Sequence, residues 1–578
     1  MKQKIWFTGF CLGLITLCSS AFSSTQKSPT HNQAHFSWFD YSGNDAVFNQ
    51  ALGNDKYQNP ILAGFHPDPS VVRVGEDFYL VNSTFGFFPG IPIFHSRDLV
   101  KWTQIGNAIH RPEQLPYKNV ALAQLGVYAA TIEYRNGTFY VINTCVGCGG
   151  NFVVTATNPA GPWSDPIWLP KLEGIDPSIF FDDEGKTYIV HHRNPSPQKY
   201  PAHTALWVMQ VDSKTFQPIS DDVMLVDGSA KVPWHTEYIE GPHIYKVDGT
   251  YYLSAPGGGT GYFHGQLVYK SKNIFGPYTA NPDNPILTQF GLPDNRENPV
   301  TATGHADMFD DGKGNWWAVF LGTRIYDLDK KNQQDPGNFH TGRETFMLPV
   351  TWKDGWPIIL EKDKAVPYQV KKPNLPTTSR PMRAMTGNFS VREKFSEKTL
   401  APHWLFIRAP LSQWWSTGSG ELILTPREDQ IGEYGNPSFI GRRLAHMTAS
   451  FGTKLTFYPQ SPGEEAGLLA VQTDEFYYAF GLSENVTGDT VLRVRKRAGK
   501  DTPVHGETII EKKIKLGDSN TVFLRANIDK AKLGFEYSVD GKQFTSVIDS
   551  ADSRVLTSAM AGGFTGAVVG MYAELSTD

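Results

Sequence analysis

Cysteine is nearly absent: the 578 residues hold four, Cys11, Cys18, Cys145 and Cys148. That excludes a disulfide-stapled scaffold. Cys145 and Cys148 form a lone Cys-x-x-Cys pair. A zinc site needs a second pair and a redox centre needs strand–helix surroundings, so a local disulfide or two idle thiols remain. A large excess of charge of either sign is missing too. Lys and Arg number 53 against 58 Asp and Glu, a net charge of −5. No basic run carries interleaved aromatics, which excludes nucleic acid as a partner. Helical periodicity is almost missing, and past the first two dozen residues no apolar stretch is long enough to cross a membrane. The N-terminus is different. Lys2 and Lys4 precede an apolar stretch, Ile5 to Leu17, and then the small residues Ser19, Ser20 and Ala21. This reads as a signal peptide over residues 1–23, so the mature protein is expected to be secreted or periplasmic.

What is present is β-structure and turns. Gly (54), Pro (39), Trp (14) and Tyr (24) punctuate short alternating runs such as Asp77-Phe-Tyr-Leu-Val-Asn and Thr250-Tyr-Tyr-Leu-Ser-Ala. An internal repeat organises them. Five times a small or acidic residue precedes an apolar strand, a Gly-containing turn and an aromatic-rich strand. The copies begin at Asp68, Ala129, Asp176, Glu240 and His305. Spacing of roughly 62 residues per copy suits four strands and their loops, the size of a propeller blade. An all-β fold follows: a five-bladed β-propeller over residues 57–365, a Pro- and Lys-rich linker from Val366, and a β-sandwich over 388–578, where strands continue without the repeat.

Innermost propeller strands converge on one axis, so Asp68, Asp176, Glu240 and His305 are expected around a common pocket. Several carboxyl groups there repel one another and raise at least one pKa. Glycosidic hydrolysis uses such an arrangement: one carboxyl protonates the leaving oxygen while another, ionised, activates water.

The segments Asn59-Pro-Ile-Leu-Ala-Gly-Phe-His-Pro-Asp-Pro-Ser, Gly174-Ile-Asp-Pro-Ser, Ile239-Glu-Gly-Pro-His-Ile-Tyr-Lys, Thr303-Gly-His-Ala-Asp and Thr341-Gly-Arg-Glu-Thr resemble the signatures of glycoside hydrolase family 43. Trp414-Trp415, Asn436-Pro-Ser-Phe-Ile-Gly-Arg-Arg and Gly562-Gly-Phe-Thr-Gly are similar to the concanavalin-like sandwich of the family's two-domain xylosidases. The resemblance implies an inverting glycosidase with Asp68 as general base, Glu240 as general acid, and Asp176 orienting that acid and keeping it protonated. It implies that Arg343 binds sugar hydroxyls and that Phe85 and Tyr128 line the innermost subsite. Tyr128 stands where xylosidases commonly have tryptophan. Phe564, on a sandwich loop, is expected to wall that subsite and make the enzyme act from chain ends. His305 would face a pore ion or water, with calcium the candidate metal; the hydrolysis itself needs no cofactor. The implied substrates are xylan- or arabinoxylan-derived oligosaccharides, cleaved as a β-xylosidase. The alternatives are an α-L-arabinofuranosidase and a non-catalytic sugar-binding propeller. A homo-oligomer is compatible with the sequence.

Overall fold

The computed structural model describes residues 33–576, apart from 231–233, 294, 329–336 and 378–382. The signal-peptide segment, with Cys11 and Cys18, lies outside the described residues. Strands dominate because Val, Ile, Tyr and Phe alternate with polar residues between tight turns. Several turns are two-residue hairpins in which both central residues have positive φ: Asn136 and Gly137 (50° and 84°), and Asp248 and Gly249 (47° and 69°). This conformation matches the twist of the strands it joins.

Five antiparallel sheets, three of four strands and two of five, form the propeller. Their innermost strands are Ser70–Val74, Thr131–Arg135, Ile175–Phe181, His243–Val247 and Val300–Asp310. The fifth innermost strand packs against the first, which closes the ring. The first strand is also tied to the fifth by hydrogen bonds: Ser70 Oγ and Val71 N donate to Asp307 Oδ2 at 2.8 and 2.9 Å.

The sandwich has an eight-stranded and a six-stranded sheet. One strand of the larger sheet comes from far upstream. Ala34–Gly43 pairs with Phe389–Glu393, Leu422–Leu424 and Thr448–Thr456. It buries Phe36, Phe39 and Tyr41 in the core. The sandwich therefore begins before the propeller, and bounds of 388–578 omit a core strand. Its alternation is legible, but its partners are too distant in sequence for any local pattern to reveal them.

The stretch read as a linker is also partly structured. Gln369–Lys371 pairs with Lys56–Gln58, and Val366 and Val370 are buried. Proline and lysine dominate the composition there and mask the apolar alternation of a short edge strand.

Between the two halves lies an apolar cluster that includes Phe65, Phe85, Phe87 and Leu122 from the propeller and Leu405, Ile407, Phe439 and Tyr572 from the sandwich. Phe87 and Phe88 pair directly with Ile407 and Phe406 as a two-stranded ribbon. Cys145 and Cys148 form a disulfide at the end of the strand Thr138–Val146.

Candidate active site

At the mouth of the propeller axis a cavity of about 410 Å³ is lined by residues of both halves, among them Asp68, Asp176, Glu240, Tyr128, Arg343 and Phe564. Asp68, Asp176 and His305 share one backbone conformation, with φ of 50°, 51° and 49°. Left-handed backbone at non-glycine residues costs on the order of 1–3 kcal/mol and recurs at active sites.

Glu240 does not occupy the equivalent position in its blade. Gly241 does, with φ 46°. A Cβ at Gly241 would lie 2.4 Å from His305 Nε2. No side chain fits there, so the preceding residue delivers the carboxyl group. The one-residue offset corrects the expectation that the carboxylates start their strands in common register.

Asp68 is buried and held by three groups. Ser83 Oγ donates to Oδ2, Arg343 Nη1 donates to Oδ1 at 3.1 Å, and His305 Nδ1 lies 3.5 Å from Oδ1. Burial pushes its pKa up, but Arg343, His305 and Ser83 outweigh burial and hold it below the usual carboxylate value. Asp68 is therefore ionised at neutral pH. Glu240 behaves oppositely: burial first, then the charge of Asp68, raise it to about 7. Asp176 is raised well above the ordinary value by burial, by Glu240 and by Asp68. One carboxylate and two proton-holding carboxyl groups thus face one cavity, the division of labour that acid–base hydrolysis requires.

The sandwich completes the site. Gly342, beside Arg343, and Gly566, beside Thr565, meet backbone to backbone: a Cβ on Gly342 would lie 2.5 Å from Gly566 N. That contact, with Phe564 N donating to Ala123 O and Ala567 N donating to His340 O (both 2.8 Å), seats the loop on the propeller. Phe564 stacks on Phe85, with centroids 5.6 Å apart, and meets Tyr128 edge-on at 6.0 Å. Its carbonyl accepts from Arg343 Nε and Nη2 at 3.4 and 3.3 Å. Arg343 therefore bridges the ionised Asp68 and the sandwich loop. Phe85 is only 2 % exposed and acts chiefly as the backing of Phe564. Tyr128 is part-buried, and its hydroxyl donates to Gln124 O at 2.5 Å.

The sequence reading missed other residues at the site. Tyr238, 53 % exposed and with φ 52°, lines the cavity, as does the loop Gly258–Gly261. The aromatic two residues before Glu240 was the available signal. His192 Nδ1 lies 3.7 Å from Asp176 Oδ2, and burial lowers its pKa to about 3, so it is neutral. No motif marks it. Glu237, near Glu240 in sequence, is exposed and pairs with His235 at 3.4 Å.

Beside His305 the side chains supply few oxygens for calcium, so most ligands of an ion there would be waters. Calcium takes six to eight oxygen ligands. The carboxylate facing His305 is Asp68, whose Oδ1 already accepts from Arg343. Among the described residues, the cluster whose donor atoms converge is Asp176, His192 and Glu240, within 4.8 Å of one another. A cation there would strip the proton from the acid, so no step is assigned to a metal.

Residues 57–357 match the family model described as "Glycosyl hydrolases family 43". The chain belongs to glycoside hydrolase family 43. It is a glycosidase. Residues 392–577 of this family 43 chain match "Beta xylosidase C-terminal Concanavalin A-like domain". The chain is 37% identical over 540 residues to "Non-reducing end alpha-L-arabinofuranosidase BoGH43B" of Bacteroides ovatus, covering 91% of this chain and 93% of that one. It is 36% identical over 533 residues to "Xylosidase/arabinosidase" of Butyrivibrio fibrisolvens, covering 89% and 95%. The crystal structure of a "GH43_12 retrieved from capybara gut metagenome" superposes with a TM-score of 0.84 at 35% identity, covering 94% and 99%. The propeller-plus-sandwich fold is thus that of the family's solved members.

Proposed function

We propose that the chain releases single pentose units from the non-reducing ends of xylan-derived oligosaccharides with inversion, chiefly as a β-xylosidase. The observation that carries this reading is the split protonation within one cavity: Asp68 held ionised by Arg343 and Ser83, and Glu240 raised to about 7. In the proposed reaction Asp68 takes a proton from water as its oxygen attacks the anomeric carbon, and Glu240 gives its proton to the departing glycosidic oxygen. Asp176, protonated and beside Glu240, limits loss of the acid's proton. Arg343 keeps Asp68 charged and offers N–H donors toward the cavity. The wall made by Phe564 supports end-wise action, since a chain cannot run on past it. Export is part of the proposal and is supported by the Cys145–Cys148 disulfide, which suits an oxidising compartment.

Release of α-L-arabinofuranose is the second reading, favoured by the name of the Bacteroides ovatus relative and by Tyr128 in place of tryptophan. Hydrolysis of nitrophenyl β-xyloside against nitrophenyl α-arabinofuranoside separates the two. Proton NMR of the first product tests inversion: α-xylose from a β-linked substrate is expected, and β-xylose would overturn the mechanism.

A further inference from the structure

Behind the active site, where propeller and sandwich meet, a small pocket is lined by Arg383, Arg442, Arg443, His66 and His403. Arg442 and Arg443 end the strand Ser438–Arg443 and are only 6 % and 7 % exposed. Buried guanidinium groups are ordinarily paired, because stripping water from a charge costs several kcal/mol. Here Nε and Nη1 of Arg442, Nε and Nη2 of Arg443, Nη1 of Arg383 and Nε2 of His403 are buried without a hydrogen-bond partner among the described residues. The carboxylate at hand is Glu393, which Arg383 Nη2 already holds. Aromatic faces take up part of the remaining charge, Tyr41 under Arg442 at 4.4 Å and Phe65 under Arg443 at 5.1 Å, but they accept no conventional hydrogen bond. Burial pulls the two guanidinium pKa values only to about 10 and about 9, so both stay charged. The adjacent buried network pairs Arg324 with Asp45 and Glu344. Taken with it, four guanidinium groups face three carboxylates, which leaves one positive charge over.

We propose that this cavity binds one small monovalent anion, of the size and chemistry of chloride. The single surplus charge sets the valence. N–H donors of the lining arginines supply its coordination. The site also underlies the segment that carries Asp68, since Arg443 stacks on Phe65 and His66 lines the cavity.

The test is halide dependence of the full chain. Sodium chloride is titrated against sodium gluconate, a much bulkier anion, at constant ionic strength after exhaustive dialysis. Once the site is being filled, the melting temperature should rise by about 1 °C per tenfold increase in chloride, and bromide should act alike. The slope should vanish in Arg443→Met. Should that variant not fold, bromide-soaked crystals of the parent give the second reading, an anomalous peak between Arg442 and Arg443. A melting temperature indifferent to halide, or a cavity holding only water in bromide-soaked crystals, would overturn the proposal.

Discussion

The sharpest consequence of the site's electrostatics concerns Glu240→Gln. Raising the acid from the usual 4.5 to about 7 means that its carboxylate is disfavoured by about 3 kcal/mol. At pH 6 an acid of pKa 7 is about 90 % protonated and one of pKa 4.5 about 3 %, so the shift supplies roughly a 30-fold larger active fraction. The direction is fixed: the acid works protonated, so activity is full below about 7 and falls as pH rises through it. The base works ionised, so the acid limb lies below the ordinary 3.8 of an aspartate. Replacing Glu240 by Gln should lower kcat/KM on xylobiose by about 10²–10⁴ and abolish the alkaline limb. On dinitrophenyl xyloside, whose leaving group needs no proton, the loss should be far smaller. The assay is kcat/KM against pH for both substrates, parent and variant. An alkaline limb that persists near pH 7 in the variant, or equal damage on both substrates, would refute the assignment.

Other outcomes follow from the same geometry. Asp68→Asn, nearly isosteric, should keep the melting temperature within a few degrees while turnover falls about 10²–10⁴-fold on every substrate, including the dinitrophenyl one. Glu240 has a raised folded-state pKa, so its contribution to stability is fully present below 4.5 and lost as pH rises through about 7. Urea unfolding should therefore find Glu240→Gln more stable relative to the parent at pH 8 than at pH 4, by up to about 3 kcal/mol. Phe564→Ala should raise KM for xylo-oligosaccharides roughly tenfold, about 1.4 kcal/mol of lost apolar contact. It should also let xylobiose appear beside xylose among the first products from xylohexaose. Xylose alone, with KM unchanged, would show that the ring does not wall the subsite.

The repeat made the blades and the three carboxyl groups of the cavity legible, because each copy carries its own hairpin and those groups sit at or near the strand starts. The offset of Glu240 was not legible. It depends on His305 filling the space beside Gly241, a contact between blades that no local pattern encodes. His192 was hidden because it lies near the end of the strand Thr187–Arg193 with nothing local to mark it, and its place at the site comes only from the strand Ile175–Phe181 beside it. Phe564 was legible through the resemblance of its segment Gly562-Gly-Phe-Thr-Gly to the family's sandwich loop, whereas Tyr238 stood unremarked two residues from a residue already singled out. The buried arginines lay within a recognised motif, yet their lack of partners is a property of three dimensions alone.

The early strand Ala34–Gly43 has a consequence for how the molecule is made. Its bond partners are synthesised only after the whole propeller: Thr453 Oγ1 donates to the carbonyl of Trp38 across a separation of 415 residues. An apolar ribbon with open hydrogen-bonding edges must wait through the synthesis of all five blades before its sheet exists. Such long-range closure is slow, and the waiting edge is open to mispairing with other chains. The propeller is, in topological terms, an insertion in the sandwich. Neither half can be cut out cleanly: a chain begun at residue 57 would leave a gap in the middle of the larger sheet, and a sandwich begun at 388 would lack Phe36, Phe39 and Tyr41 from its core.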